Sequence, residues 1–354
     1  MAIDIKKLLQ SVVSHGASDL HLVSRSEPQI RIDGTLKAVN LPILTGKDIE
    51  EMAYALLTEK QKKAFEEDLE LDFALLLPNI GRFRANYYRT LGDIAAAFRI
   101  IPTEIPSLDS LNAPSIYKKL IKREKGLILV TGPTGSGKST TLAAMLNEIN
   151  VTENKHIITV EDPVEFIHQN KKCVFSHRET GGDTKSFSTA LKYAMRQDPD
   201  IILIGEMRDK ETIEAALTAA ETGHLVFGTL HTNSAPGTIN RIIDVFESEE
   251  QAQIRTMIAS SLVGVIAQVL LPKIGGGRVA VPEIMIPNHA IANLIRENKT
   301  HQLYSQMQLG QGETGMQTQT QILLKLRKQG VITRKDALQY ANKPDELEKN
   351  INFK

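Results

Sequence analysis

Gly132-Pro-Thr-Gly-Ser-Gly-Lys-Ser-Thr140 follows the apolar run Leu127–Val130 and precedes Thr141–Ile149, a stretch able to open a helix. Strand, glycine-rich turn and helix in that order make a phosphate-binding loop rather than an ordinary turn. In such a loop Gly132, Pro133, Thr134, Gly135, Ser136, Gly137, Lys138, Ser139 and Thr140 wrap the phosphates, because glycines let backbone N–H groups face phosphate oxygens. Lys138 brings a cation to the terminal phosphates, and the Ser139 hydroxyl is in register to reach Mg²⁺. The expected ligand is a nucleoside triphosphate.

Working outward, apolar strand-like runs alternate with helical stretches: Gly126–Thr131, Ile157–Glu161, Ile201–Gly205 and Leu225–Leu230. That rhythm predicts an α/β unit with a mostly parallel sheet covered on both faces. Residues 1 to about 100 read differently. A helical pattern over Ile3–His15 is followed by short strands Asp19–Val23 and Gln29–Asp33, a helical stretch Gly46–Glu67, and strands Leu71–Leu77, Arg82–Arg89 and Ala95–Ile101. Asp33-Gly34 is a hairpin signal, and the whole predicts a small α+β domain. Pro102, Pro106 and Pro114 punctuate a linker. From Ala290 to about Ala341 the pattern is helical, broken at Gly310–Gly315.

Composition narrows the class. The 354 residues suggest two or three domains, and 42 Lys+Arg balance 42 Asp+Glu, so no global basic field attracts nucleic acid. Cys173 is the only cysteine, which rules out an intramolecular disulfide and a four-cysteine zinc module and fits a reducing cytoplasm. The first ten residues, MAIDIKKLLQ, lack the apolar core and cleavage site of a secretion signal. The longest uncharged stretch, Thr256–Pro272, falls short of the ~20 apolar residues a spanning helix needs and reads as a buried helix.

Phosphoryl transfer needs carboxylates at the strand ends beside the loop, to support Mg²⁺ and orient the attacking water. Two strand ends supply them: Ile157–Val160 runs into Glu161, Asp162 and Glu165, and Ile201–Ile204 runs into Gly205, Glu206, Arg208 and Asp209. Glu161 is assigned to the water because it ends the strand next in sequence after the loop helix. Glu206 is assigned to the metal, through water, and the two roles are open to exchange. Gly205 stands where a Walker B strand commonly carries Asp. His224 and His231 bracket the strand Leu225–Leu230 without metal-ligand spacing; His231, at the carboxyl end beside Thr229 and Thr232, is placed to sense the terminal phosphate.

Arg196-Gln-Asp-Pro-Asp200-Ile-Ile-Leu-Ile-Gly205-Glu-Met-Arg-Asp209 resembles the signature of the secretion-superfamily ATPases, the hexameric motors of type II and type IV secretion and of type IV pili. The loop Gly132–Thr140, the acidic box Val160–Glu165 and the histidine box Gly223–Thr232 match in order and spacing. So do Ser18-Asp-Leu-His-Leu22, Gly81-Arg-Phe-Arg84 and the tail pieces His301-Gln and Gly315-Met-Gln-Thr318, so the resemblance covers nearly the whole chain. The tail Ala290-Ile-Ala-Asn-Leu-Ile-Arg-Glu297 is similar to the AIRNLIRE motif of the pilus-retraction branch, with Ala292 in place of Arg. Assembly-type motors carry a longer N-terminal extension and usually a four-cysteine metal site.

The resemblance implies a PAS-like α+β domain over residues 1–101, a linker over 102–115, a RecA-like P-loop ATPase core over 116–288 and a helical C-terminal region over 289–354. It implies ATP and Mg²⁺ as cofactors. Arg84 and Arg99 fall where family members place arginines that lean onto the phosphates, with Arg208 and Arg241 as weaker candidates for organising the site. The implied assembly is a homohexamer that meets an inner-membrane platform protein and, through it, the pilus. Such a motor is cytoplasmic, held at the inner membrane only through that machinery, and drives pilus retraction in twitching motility. The alternatives are a pilus-assembly or type II secretion export motor, and a nucleotide-gated regulatory paralogue with little turnover.

Overall fold

The computed structural model describes residues 3–32, 34–101, 104–309 and 314–352. The chain divides into two compact units, residues 1–104 and 105–354. In the first, among the described residues, three helices, α1 (Ile5–Ser14), α2 (Gly46–Tyr54) and α3 (Glu59–Asp68), accompany six strands: β1 (Asp19–Leu22), β2 (Gln29–Ile32), β3 (Thr35–Ala38), β4 (Glu70–Leu77), β5 (Gly81–Thr90) and β6 (Asp93–Ile101). The sheet is antiparallel throughout, in the order β3-β2-β1-β6-β5-β4. Tyr87 is the hub of its core, meeting Phe65, Phe73 and Phe98 edge to face and donating its hydroxyl to the Ala53 carbonyl at 3.3 Å.

The single helix expected over Gly46–Glu67 is two, because Thr58 and Gln61 close a second capping box that starts α3 afresh. β3 was missed, although Ile32 pairs with Thr35 across the predicted hairpin; Asp33 itself lies outside the described residues. So do Pro102 of the predicted linker and residues 310–313 of the predicted break.

Among the described residues, the second unit holds seven strands: β7 (Gly126–Thr131), β8 (His156–Glu161), β9 (Val174–Glu179), β10 (Ile201–Ile204), β11 (Leu225–Leu230), β12 (Leu262–Pro272) and β13 (Arg278–Met285). Their order is β13-β12-β7-β11-β10-β8-β9, and every neighbouring pair is parallel except β12 with β13. Helices α4 (Ile116–Leu120) and α5 (Lys138–Thr152) pack on one face; α7 (Lys210–Glu221), α8 (Ala235–Ile243), α9 (Gln251–Ser261) and α10 (His289–Arg296) pack on the other, and α6 (Phe187–Ala194) packs on β8. Alternate residues of one strand therefore enter different cores: Leu127 and Leu129 join one cluster, Ile128 and Val130 the other. Both faces being covered explains why β7, β10 and β11 read as unbroken apolar runs.

The same physics overturns the buried helix expected over Thr256–Pro272. The helix stops at Ser261, and Leu262–Pro272 is β12, with Val265 and Ile266 facing opposite cores. A doubly buried strand has no polar face to reveal its period, so Val263, Val265, Ile266 and Val269 were the available signal. Residues Leu108, Leu111 and Ala113 pack into the core that α4 and α5 cover. A further short helix, α11 (Leu303–Leu309), follows α10, and the helices Gln319–Lys328, Arg334–Gln339 and Pro344–Asn352 close over β12 and β13 through Val269, Leu271, Val281, Leu323 and Leu347.

Candidate nucleotide site

The turn between β7 and α5 is shaped by three glycines at positive φ, Gly132 at 143°, Gly135 at 78° and Gly137 at 85°. At Gly132 a Cβ would stand 2.2 Å from the Gln268 carbonyl oxygen, so the loop closes on β12 only with glycine there. Lys138, the first residue of α5, donates from Nζ to the carbonyls of Gly132 at 2.8 Å and Pro133 at 3.1 Å. Burial pulls the Lys138 ammonium below its usual range, against the charges of Glu206 and Glu165, which places both carboxylates within its electrostatic reach. Ser136 is 3% exposed, and its Oγ is buried with no hydrogen-bond partner. A buried hydroxyl left unpaired costs about 1–3 kcal/mol, and a phosphate oxygen would satisfy it. The donor set fits an anion: an orphaned hydroxyl, the free N–H groups of a helix start and a partly buried cation.

Gln268 holds this loop, and the sequence reading passed over it. Only 3% exposed on β12, it donates from Nε2 to the Ser136 carbonyl at 2.7 Å and accepts from Thr141 Oγ1 at 3.0 Å. One amide thus ties the two ends of the segment that carries Lys138 and Ser139. The only signal was a lone amide in an otherwise apolar strand. Gln268→Leu leaves both partners unsatisfied, so we expect a stability loss of about 1–3 kcal/mol and a roughly tenfold higher KM for ATP. Thermal melting and ATP titration of turnover check this; an unchanged KM would remove the clamp.

The acidic residues stand at the carboxyl edge of the sheet. Glu161 ends β8, is 7% exposed, and accepts the Glu165 N–H at 3.1 Å. Glu206 follows β10 and meets Arg208 Nε at 2.5 Å and His231 Nε2 at 3.3 Å. Burial pushes the Glu206 carboxyl up, but Arg208 and His231 outweigh it and hold the group below its usual range, ionised at neutral pH. Gly205 has a structural reason. A Cβ there would lie 3.1 Å from Glu161 Cα and 3.2 Å from the Val160 carbonyl oxygen, so a side chain would press on the strand end that carries Glu161. Glycine at this position leaves the end of β8 undisturbed.

His231, Glu206, Arg208 and Arg241 line one cleft of about 250 Å³ with Met207, Leu230 and Thr232. Thr232 and Thr131 both bond Thr238 of α8, at 2.7 and 3.3 Å, which fixes the His231 segment to the end of β7. His224 lies at the opposite end of β11, its Nδ1 3.0 Å from the Ala219 carbonyl, a structural contact away from the cleft. Arg84 and Arg99 belong to the first unit, where they sit side by side across β5 and β6. Arg84 forks onto Asp72, with Nε 3.2 Å from both carboxylate oxygens, and Arg99 Nε donates to Asp19 at 2.8 Å. Ser139 lies in the first turn of α5, half-buried beside Lys138. Among the described residues, no helix is long and apolar enough to cross a membrane.

Comparison with known proteins places this geometry in context. The family model described as Type II/IV secretion system protein matches residues 1–276. The chain is 51% identical over 344 residues to the "Type IV pilus retractation ATPase PilT" of Pseudomonas aeruginosa, covering 97% of this chain and 100% of that one. It is 47% identical to the "Twitching motility protein" of Neisseria gonorrhoeae, over 98% of this chain and 93% of that one. A crystal structure of the pilus retraction motor PilT with bound ADP superimposes with a TM-score of 0.92 at 50% identity, covering 98% of this chain and 99% of that one. With the phosphate loop, the paired strand-end carboxylates and a near full-length likeness in hand, the chain belongs to the type II/IV secretion system protein family, whose mixed α/β fold it has.

Proposed function

We propose that the chain is a Mg²⁺-dependent ATPase whose hydrolysis powers type IV pilus retraction, the basis of twitching motility. The observation that carries this reading is the Lys138 loop, with the Glu206 charge acting on its lysine and Glu206 beside His231, in a chain 51% identical to PilT over 97% of its length. ATP binds with its phosphates on the amides of Gly132–Thr140 and its terminal phosphates on Lys138. Ser139 and, through water, Glu206 would hold Mg²⁺; hydroxyl and carboxylate oxygens suit a hard cation, which would neutralise phosphate charge. Glu161 orients or deprotonates the attacking water, and His231 senses the terminal phosphate. Arg84 and Arg99 are assigned, from the family resemblance, to lend charge to the phosphates at the transition state.

The first unit is PAS-like and the second RecA-like, with the chain parted at 101, 115 and 288 into domain, linker, core and helical C-terminal region, the linker being packed onto the core through Leu108, Leu111 and Ala113. The antiparallel sheet of the first and the parallel sheet with its β7–α5 loop of the second support these labels. The working form is a homohexamer in the cytoplasm, joined to the inner membrane through a pilus platform protein.

The exposed side of α10 carries the test. Ile291, Ala292 and Ile295 are buried, Leu294 is half-buried, and Asn293, Arg296 and Glu297 face outward, with Arg296 Nη1 donating to Asn293 Oδ1 at 2.7 Å. Arg296→Ala is expected to retain melting temperature and ATP turnover while losing pilus retraction, because it removes an outward charge far from the loop in sequence. Leu294→Ala, which packs inward, is expected to lower stability by roughly 1–3 kcal/mol. Measuring melting, phosphate release and retraction in parallel decides it. Normal retraction by Arg296→Ala, or loss of retraction only in proportion to turnover, would contradict the role of this face.

A further inference from the structure

Glu283, in the middle of β13, is 2% exposed, and its two oxygens serve two different helices. One accepts the Ala235 N–H at 2.8 Å and the other the Gln319 N–H at 3.4 Å. Each donor is the first residue of its helix, α8 or Gln319–Lys328, an N–H with no acceptor inside that helix. Two helix N-termini, each carrying partial positive charge, therefore converge on one buried carboxylate. Burial pushes this carboxyl up, and the two N–H bonds and the Lys343 charge oppose that.

A second link runs beside the first. Asn342 donates from Nδ2 to the Asn233 carbonyl at 2.8 Å and from its own N–H to Gln319 Oε1 at 2.6 Å. Asn233 stands two residues after His231 in the segment that joins β11 to α8, Ser234 caps α8, and Ala235 begins it. The segment carrying His231 is thus bonded on one side to β7 through Thr238 and on the other to the C-terminal helices through Glu283 and Asn342.

We propose that Glu283 and Asn342 are positioning residues that couple the C-terminal helices to the His231 segment, so that the stance of those helices sets where His231 stands against Glu206. This rests on the reading of His231 as part of the hydrolytic site. The coupling is carried by discrete hydrogen bonds between rigid elements, the kind of connection for which a double-mutant cycle is the direct test.

The experiment is single-turnover and steady-state phosphate release by the full-length protein for Asn342→Ala, Glu283→Gln, His231→Ala and the double variant His231→Ala/Asn342→Ala. Asn342 is exposed, so its truncation should leave the melting temperature unchanged while lowering kcat about fivefold or more, with KM for ATP within about twofold. Glu283→Gln keeps the shape but turns an amide donor toward one of the two N–H groups, and should lower kcat at least as far. Because Asn342 acts through the His231 segment, the double variant should be no slower than His231→Ala alone. Normal turnover by Asn342→Ala, or additive losses in the double variant, would overturn the coupling. Undiminished turnover by His231→Ala would instead overturn the reading of His231, so the two failures are told apart.

Discussion

Lys138→Ala is expected to bring ATP hydrolysis to background, a loss of about 10²–10³-fold or more, and to weaken ATP binding. The variant removes the cation that the terminal phosphates meet and leaves their charge without its strongest fixed partner. Folding should survive, because Lys138 Nζ bonds only the carbonyls of Gly132 and Pro133 in its own loop. Turnover at saturating Mg-ATP and thermal melting, measured on one preparation, separate loss of chemistry from loss of fold. Unchanged turnover would remove the loop from the mechanism.

Glu161→Gln and Glu206→Gln should each keep nucleotide binding and lose about 10²–10⁴-fold in turnover, because an amide nearly matches a carboxylate in shape but neither accepts a proton nor carries charge. Their environments predict different failures. Glu206 is the carboxylate that Arg208 and His231 hold ionised, so it suits metal support, and its variant should require more Mg²⁺ for half-maximal activity. Glu161, buried at the end of β8, should fail at every metal concentration. Magnesium titration of both variants checks this, and the opposite pattern would exchange the two roles.

The features readable in the sequence were those with local causes. The loop Gly132–Thr140 declares itself through glycines whose positive φ values the turn requires, and β7, β10 and β11 through apolar runs set by two covered faces. The resemblance to the secretion ATPases rested on such boxes, and the likeness to PilT bears it out. What escaped was non-local. β12 lacks a polar face and reads like a helix, yet it delivers Gln268 to the loop from more than a hundred residues away. The contacts of Glu283 with Ala235 and Gln319 join three separate elements, so no short motif announces them. Gly205 departs from the Walker B pattern, and its close approach to the end of β8 is visible only once the strands are paired.

ATP hydrolysis at the Lys138 loop is expected to pull pili in. Pilus dynamics recorded by live imaging test it most directly, in cells that lack this chain and in cells that carry only Lys138→Ala. Both strains should carry abundant pili that extend and do not retract, with retraction restored by the unmodified chain. Bald cells in the deletion strain would mark an assembly motor, and normal retraction in either strain would contradict the account.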